Sequence, residues 1–156
     1  MATSPTDHDE IDAGRIALSI QQPWAELIMQ GIKTVEIRTI PTQIRGTVYL
    51  YAGKQFSVLP SAREAVSLYN LTKETLPRGC LVGTIDILDC RPSCVEDAPS
   101  ACVPEELLNG TFSWILGNAV RCPQLWPVRY SPYGPWFYPF QRRGREVQAE
   151  RNKWKS

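Results

Sequence analysis

Apolar residues in this chain gather in short runs, each closed by glycine, proline or asparagine, a rhythm that predicts many brief strands and a few short helices. The first 14 residues carry no such run and read as a flexible arm. Residues 15–20, RIALSI, are rich in strand formers and predict a buried first strand. QQPWAELIMQG (21–31) predicts a helix: Pro23 suits its first turn, Gly31 its end, and Trp24, Leu27 and Ile28 share one face. GIKTVEIR (31–38) leaves that helix as a strand ending near Pro41. GTVYLYAGK (46–54) is the clearest strand in the chain. SAREAVSLYNL (61–71) predicts a second helix, with Ser61 as N-cap and Glu64 completing a capping box.

RGCLVGTIDILDC (78–90) predicts another strong strand, and residues 91–105, with three prolines, read as loop. TFSWILGNAVRCPQLWPV (111–128) predicts two short strands parted by a turn at Gly117-Asn118. The aromatic, proline-rich YSPYGPWFYPFQ (130–141) is expected to close the sheet. These elements add up to an α+β fold: a small barrel of about five to seven strands with two or three short helices around it.

Composition narrows the class. At 156 residues, with 43% hydrophobic and 21% charged positions, the chain suits one globular domain able to bury its own core. Thirteen prolines argue against a helical bundle. The net charge of +1 hides an asymmetry: residues 1–14 hold four acids and no Lys or Arg, whereas 141–156 hold six basic groups and two acids. The expected layout is an acidic arm (1–14), a domain (15–140) and a basic tail (141–156). No segment approaches the roughly 20 apolar residues that cross a bilayer, and the acidic start is unlike a signal peptide. Five cysteines, an odd number, suit a reducing compartment. A cytoplasmic protein, monomeric by default and without membrane contact, is the expectation.

Candidate chemistry centres on the mixed charges of 31–38. Residues two apart on a strand share a face, so Thr34, Glu36 and Arg38 should project together, with Val35 and Ile37 toward the core. Lys33 joins them only if it occupies the turn after Gly31, before the pleat begins. Carboxylate, guanidinium and ammonium around one cleft would suit a planar polar ligand. The plainer reading is an exposed ion pair worth about 0–1 kcal/mol. Gln22 and Trp24 lie just before this stretch, and Trp24 is the first candidate for a stacking surface. Lys54 ends the following strand and is a further candidate ligand contact. Asp86, in the apolar strand GTIDIL, is costly to bury unpaired, so it reads either as the partner of a cation of the first cluster or, equally, as an acid on the solvated side of a half-exposed sheet. Cys90, Cys94 and Cys102 lack zinc-like spacing and have no histidine nearby, so no metal is expected. The one histidine, His8, falls in the arm, which disfavours a histidine-based triad. No phosphate-binding glycine loop or dinucleotide fingerprint is present, and no cofactor is expected.

These residues carry a resemblance. LSIQQPWAELIMQGIKTVEIRTIPTQIRGTVYLYAGK (18–54) resembles the opening of an ASCH domain, a PUA-like fold, and Gly31, Lys33, Glu36 and Arg38 match its GxKxxExR motif. The later strands also fall where that family has them, so the resemblance covers about residues 15–140. It implies a β-barrel with a cleft beside the first helix, lined by the motif's charged residues, that takes RNA or a nucleotide-like ligand. The leading reading of this chain is single-stranded RNA or a nucleotide, modified or not, held by Gln22, Trp24, Lys33, Glu36, Arg38 and Lys54. One bacterial branch of the family is similar but enzymatic, releasing acetate from acetylcytidine with a lysine, a threonine and a later-strand glutamate. Lys33 matches that lysine, Glu36 stands where the threonine would be, and Asp86 is the candidate later acid, so an amidohydrolase using Lys33, Glu36 and Asp86 is the alternative. A third reading makes 130–140 a protein-contact surface, in which case Trp136 and Phe137 should be exposed.

Overall fold

In the computed structural model, which describes residues 11–141, the apolar runs become six strands and three α-helices. In chain order these are β1 (Ala17–Gln22), α1 (Trp24–Met29), β2 (Val35–Arg38), β3 (Gly46–Phe56), α2 (Pro60–Leu68), β4 (Cys80–Pro92), α3 (Ala98–Ala101), β5 (Phe112–Trp126) and β6 (Trp136–Phe137). The strands form one sheet in the order β2-β5-β4-β3-β1-β6, curled into a half-barrel with β2 and β6 at its edges. The β1–β3 pair is parallel and the other pairs are antiparallel. His8 and the basic tail beyond Gln141 lie outside the described residues. Within the stretch read as an arm, the backbone N–H of Asp12 donates to the Tyr49 hydroxyl at 2.6 Å.

Both faces of β3 are covered, which explains why its sequence is an unbroken apolar run rather than an alternation. Val48, Leu50 and Ala52 enter the main core with Leu18, Ile20, Leu27, Ile28, Ile85 and Trp114. Tyr49 and Tyr51 point the other way, into a smaller cluster with Ala17, Leu81, Trp126 and Phe137. Gly83 is required where the long strands cross α1: a Cβ there would come within 2.3 Å of the Val120 carbonyl and 2.6 Å of the Met29 sulfur.

Four expectations change. Residues 112–126 form one strand, because Asn118, at φ 51°, takes up an extra residue as a bulge instead of a turn. Across it, Asp86 faces Gly117 while Thr84 faces Val120, so β5 bends and stays on β4. The second helix begins one residue early, with Pro60 presetting its first turn and Leu59 at the N-cap. Ser61 is therefore already helical and its hydroxyl caps nothing. That helix stops at Leu68, short of residue 71, with Asn70 in the left-handed region at φ 54°. Finally, residues 91–105 are not all loop: β4 runs on to Pro92 and α3 follows.

Candidate functional site

Gly31, at φ 77°, ends α1 and lets the chain reverse into β2. The turn sets Lys33 before the pleat begins, so its ammonium reaches the same side as Glu36. Lys33 Nζ lies 3.5 Å from Glu36 Oε1, and Arg38 donates from Nε and Nη2 to Glu36 Oε2 at 3.2 and 3.0 Å. One carboxylate is thus held between two cations. Arg38 Nη2 also donates to the Ser19 carbonyl at 3.1 Å, tying β2 to β1 across the cleft, and its guanidinium lies 5.6 Å from the Trp114 ring centre.

Lys33 is almost wholly buried. Its Nζ donates to the Ala101 carbonyl at 2.6 Å, at the C-terminal end of α3, where a helix leaves its last carbonyls without backbone partners. Burial pushes its pKa below the ordinary lysine value, and the Glu36 carboxylate opposes that shift without cancelling it. The ammonium also sits 5.4 Å from the centre of the Trp24 ring.

These groups form the floor of a cleft of about 450 Å³. Ser19, Gln21, Trp24 and Ile37 line it beside them, Leu59, Val103 and Leu107 supply apolar walls, and Gly134-Pro135 lines the rest. Trp24 is 7% exposed and has the Lys33 ammonium over its ring, so it is a wall of the cleft and not an open stacking platform. Ile37, expected in the core, borders the cleft and is half-buried. Thr34 is exposed and does not line it; its backbone N–H donates to the Ser100 carbonyl, anchoring α3 to the start of β2.

Three predicted site residues lie elsewhere. Gln22 is fully buried, with its side-chain carbonyl accepting from the Glu26 N–H at the start of α1 and its amide donating to the Pro77 carbonyl. It caps the helix from inside. Lys54 is exposed beside Gly79, away from the cleft lining. Asp86 pairs with no cation of the cluster: Thr47 Oγ1 donates to it at 2.6 Å and Asn118 Nδ2 at 2.8 Å, and these hydrogen bonds hold its pKa below the usual carboxylate value. It pins the β5 bulge to β3. Trp136 and Phe137 are 3% and 2% exposed, which counts against the protein-contact reading of 130–140.

What sequence reasoning missed is the support around Lys33. Asp97 is buried and accepts from both terminal nitrogens of Arg91 (2.7 and 2.8 Å), the Cys94 N–H (3.0 Å) and Ser113 Oγ (2.7 Å). This network fixes the entry to α3, and hence the carbonyl that holds Lys33. A cysteine at the cap position hid the signal, since Ser or Thr would have announced it. Among the thiols, burial raises Cys80 and Cys102 and pushes Cys122 up to about 11, and hydrogen bonding to Glu96 raises Cys94, none of which favours a thiolate nucleophile. Among the described residues no helix is long and apolar enough to cross a membrane.

Comparison with known proteins agrees with the fold. The chain is 34% identical over 84 residues to human (Homo sapiens) activating signal cointegrator 1, and 39% identical over 88 residues to the mouse (Mus musculus) protein of the same name. In each case the match covers 49% of this chain but only 14% of the relative. The crystal structure of ASCH from Zymomonas mobilis superposes with a TM-score of 0.55 at 15% identity, covering 91% of this chain and 96% of that one. A point variant of the same protein gives a TM-score of 0.54 at 14% identity, over 89% and 96% of the two chains. The family model described as "ASCH domain" matches residues 18–146, from the first strand through the cleft-forming motif to the start of the basic tail, and the chain belongs to the ASCH domain family.

Proposed function

We propose that this chain binds single-stranded RNA or a nucleotide, modified or not, in the cleft beside α1. The observation that carries the reading is the charge of the cleft floor, where Lys33 and Arg38 share a single carboxylate and leave one positive charge uncompensated. Among the described residues Arg38 Nη1 makes no hydrogen bond, so a donor remains for a phosphate or carbonyl oxygen. The apolar walls at Leu59, Val103 and Leu107 suit the faces of a base whose polar edge meets that floor. Glu36 already serves two cations, so its first task is to hold them; accepting from an exocyclic amine would be a second. The family resemblance points to the same ligand class.

The amidohydrolase reading gains one feature, the lowered pKa of Lys33, and lacks another, since Asp86 is committed to Thr47 and Asn118. Binding is therefore the better supported function. The test is a fluorescence-anisotropy titration with a short single-stranded oligoribonucleotide and with mononucleotides. Arg38→Ala should weaken binding about tenfold, the worth of one charge-assisted hydrogen bond of about 1.5 kcal/mol. Affinity should fall as salt rises. Undiminished affinity in the variant would remove the cleft as the site.

A further inference from the structure

A second cavity, of about 270 Å³, lies on the connection from β3 to α2 and is lined by Phe56, Ser57, Val58, Leu59, Arg63 and Lys73, with Val66 behind. Leu59 also lines the charged cleft, so the two cavities meet at that residue. Their electrostatics differ. The shelf beyond Leu59 has two cations and no carboxylate in its lining, and among the described residues neither Arg63 nor Lys73 forms a salt bridge. Glu64 lines a different groove along α2, and Glu74, next to Lys73 in sequence, does not line the shelf. Lys73 Nζ sits 5.0 Å from the centre of the Phe56 ring, which holds the ammonium at the shelf without neutralising it. Val58, 95% exposed, adds an apolar rim.

Resting on the nucleotide reading of the cleft, we infer that the ligand is a polynucleotide strand: one unit occupies the cleft, and the chain crosses Leu59 to lay its next phosphates on Arg63 and Lys73. A phosphodiester chain needs cations not already matched by acids, and a base beside it needs apolar or aromatic cover; Phe56, Val58 and Leu59 provide that cover. A free nucleoside would have no use for the shelf. The shelf thus makes the polymer, and not the monomer, the preferred ligand.

The experiment compares a short single-stranded oligoribonucleotide with a 5′-mononucleotide, across a salt series, on the full chain and on the Arg63→Ala, Lys73→Ala double variant. Both side chains are exposed, so the variant should fold normally. Oligonucleotide affinity should drop roughly tenfold at low salt, and the slope of log K against log salt should flatten by about 1.4, at about 0.7 for each phosphate that is no longer neutralised. Mononucleotide affinity should not change. Arg63→Lys with Lys73→Arg, which keeps both charges, should retain the oligonucleotide affinity. An unaltered slope in the alanine variant, or a mononucleotide that binds the native chain as tightly as the oligonucleotide, would overturn the extended path and leave the cleft assignment standing. If neither ligand bound the native chain, the cleft reading would fail and this inference with it.

Discussion

Two buried carboxylates in this molecule are each met by an arginine, and they end in opposite conditions. Asp97 accepts from Arg91, from a backbone N–H and from a serine hydroxyl, and faces no cavity large enough to hold a ligand among those described. Glu36 meets two cations, and the excess charge opens onto a cleft of about 450 Å³. The first network is saturated and holds the backbone in place. The second has a surplus and borders a space. A buried ion pair is therefore not a functional signal by itself; unbalanced charge beside an unfilled cavity is the better one.

The two regions are also connected. Asp97 fixes the turn that enters α3, and α3 presents the Ala101 carbonyl to Lys33. Removing the saturated network should therefore give the largest effect on stability. Asp97→Ala strips the partner from Arg91, leaves the Cys94 N–H short of an acceptor and leaves Ser113 Oγ with only Ser93 Oγ, at about 3 kcal/mol. Thermal melting should fall by about 10 °C, and a variant that melts like the native chain would erase the contrast between the regions. Because Asp97 has its pKa held well below the usual carboxylate range by Arg91, its contribution is fully present above about pH 4 and is lost as pH falls through the lowered value.

Next in size is Arg38→Ala, whose binding loss of about tenfold should come with less than about 1 kcal/mol of stability, since its side chain is partly exposed. A large loss of stability with intact binding would move Arg38 to the structural side of the comparison. Lys33 gives a sharper test through pH. Its folded pKa is lowered, so between that value and 10.5 the unfolded chain binds more protons and stability rises with pH, at no more than about 1.4 kcal/mol per pH unit. Denaturant titrations of the native chain and Lys33→Met, at neutral and at alkaline pH, should differ by that rise; parallel curves would contradict the burial that causes the shift. The smallest effect belongs to Asp86→Asn, which keeps the shape of a side chain bonded only to neutral donors. It should cost about 0.5 kcal/mol or less, and leave both ligand binding and any turnover of an acylated cytidine unaltered. A specific loss of either would return Asp86 to the site.

Local pattern determined much of this protein. Apolar runs set where the strands lie, Pro23 and Gly31 bracket α1, and period-two spacing puts Glu36 and Arg38 on one face, whereas Lys33 joins them only because the turn after Gly31 holds it ahead of the pleat. Which elements those charges face was decided by the sheet. β2 pairs with β5, not with β4, so Trp114 lies opposite Glu36 while Asp86 stays on another strand with Thr47 and Asn118. Val103, Leu107 and Pro135 come from distant segments to wall the cleft, and the Ala101 carbonyl takes the Lys33 ammonium across 68 residues of chain. Gly117-Asn118 reads locally as a turn, yet long-range pairing with β4 makes it a bulge. Sequence spacing encodes faces, whereas partners depend on strand order and packing, and those exist only once the sheet has closed around its core.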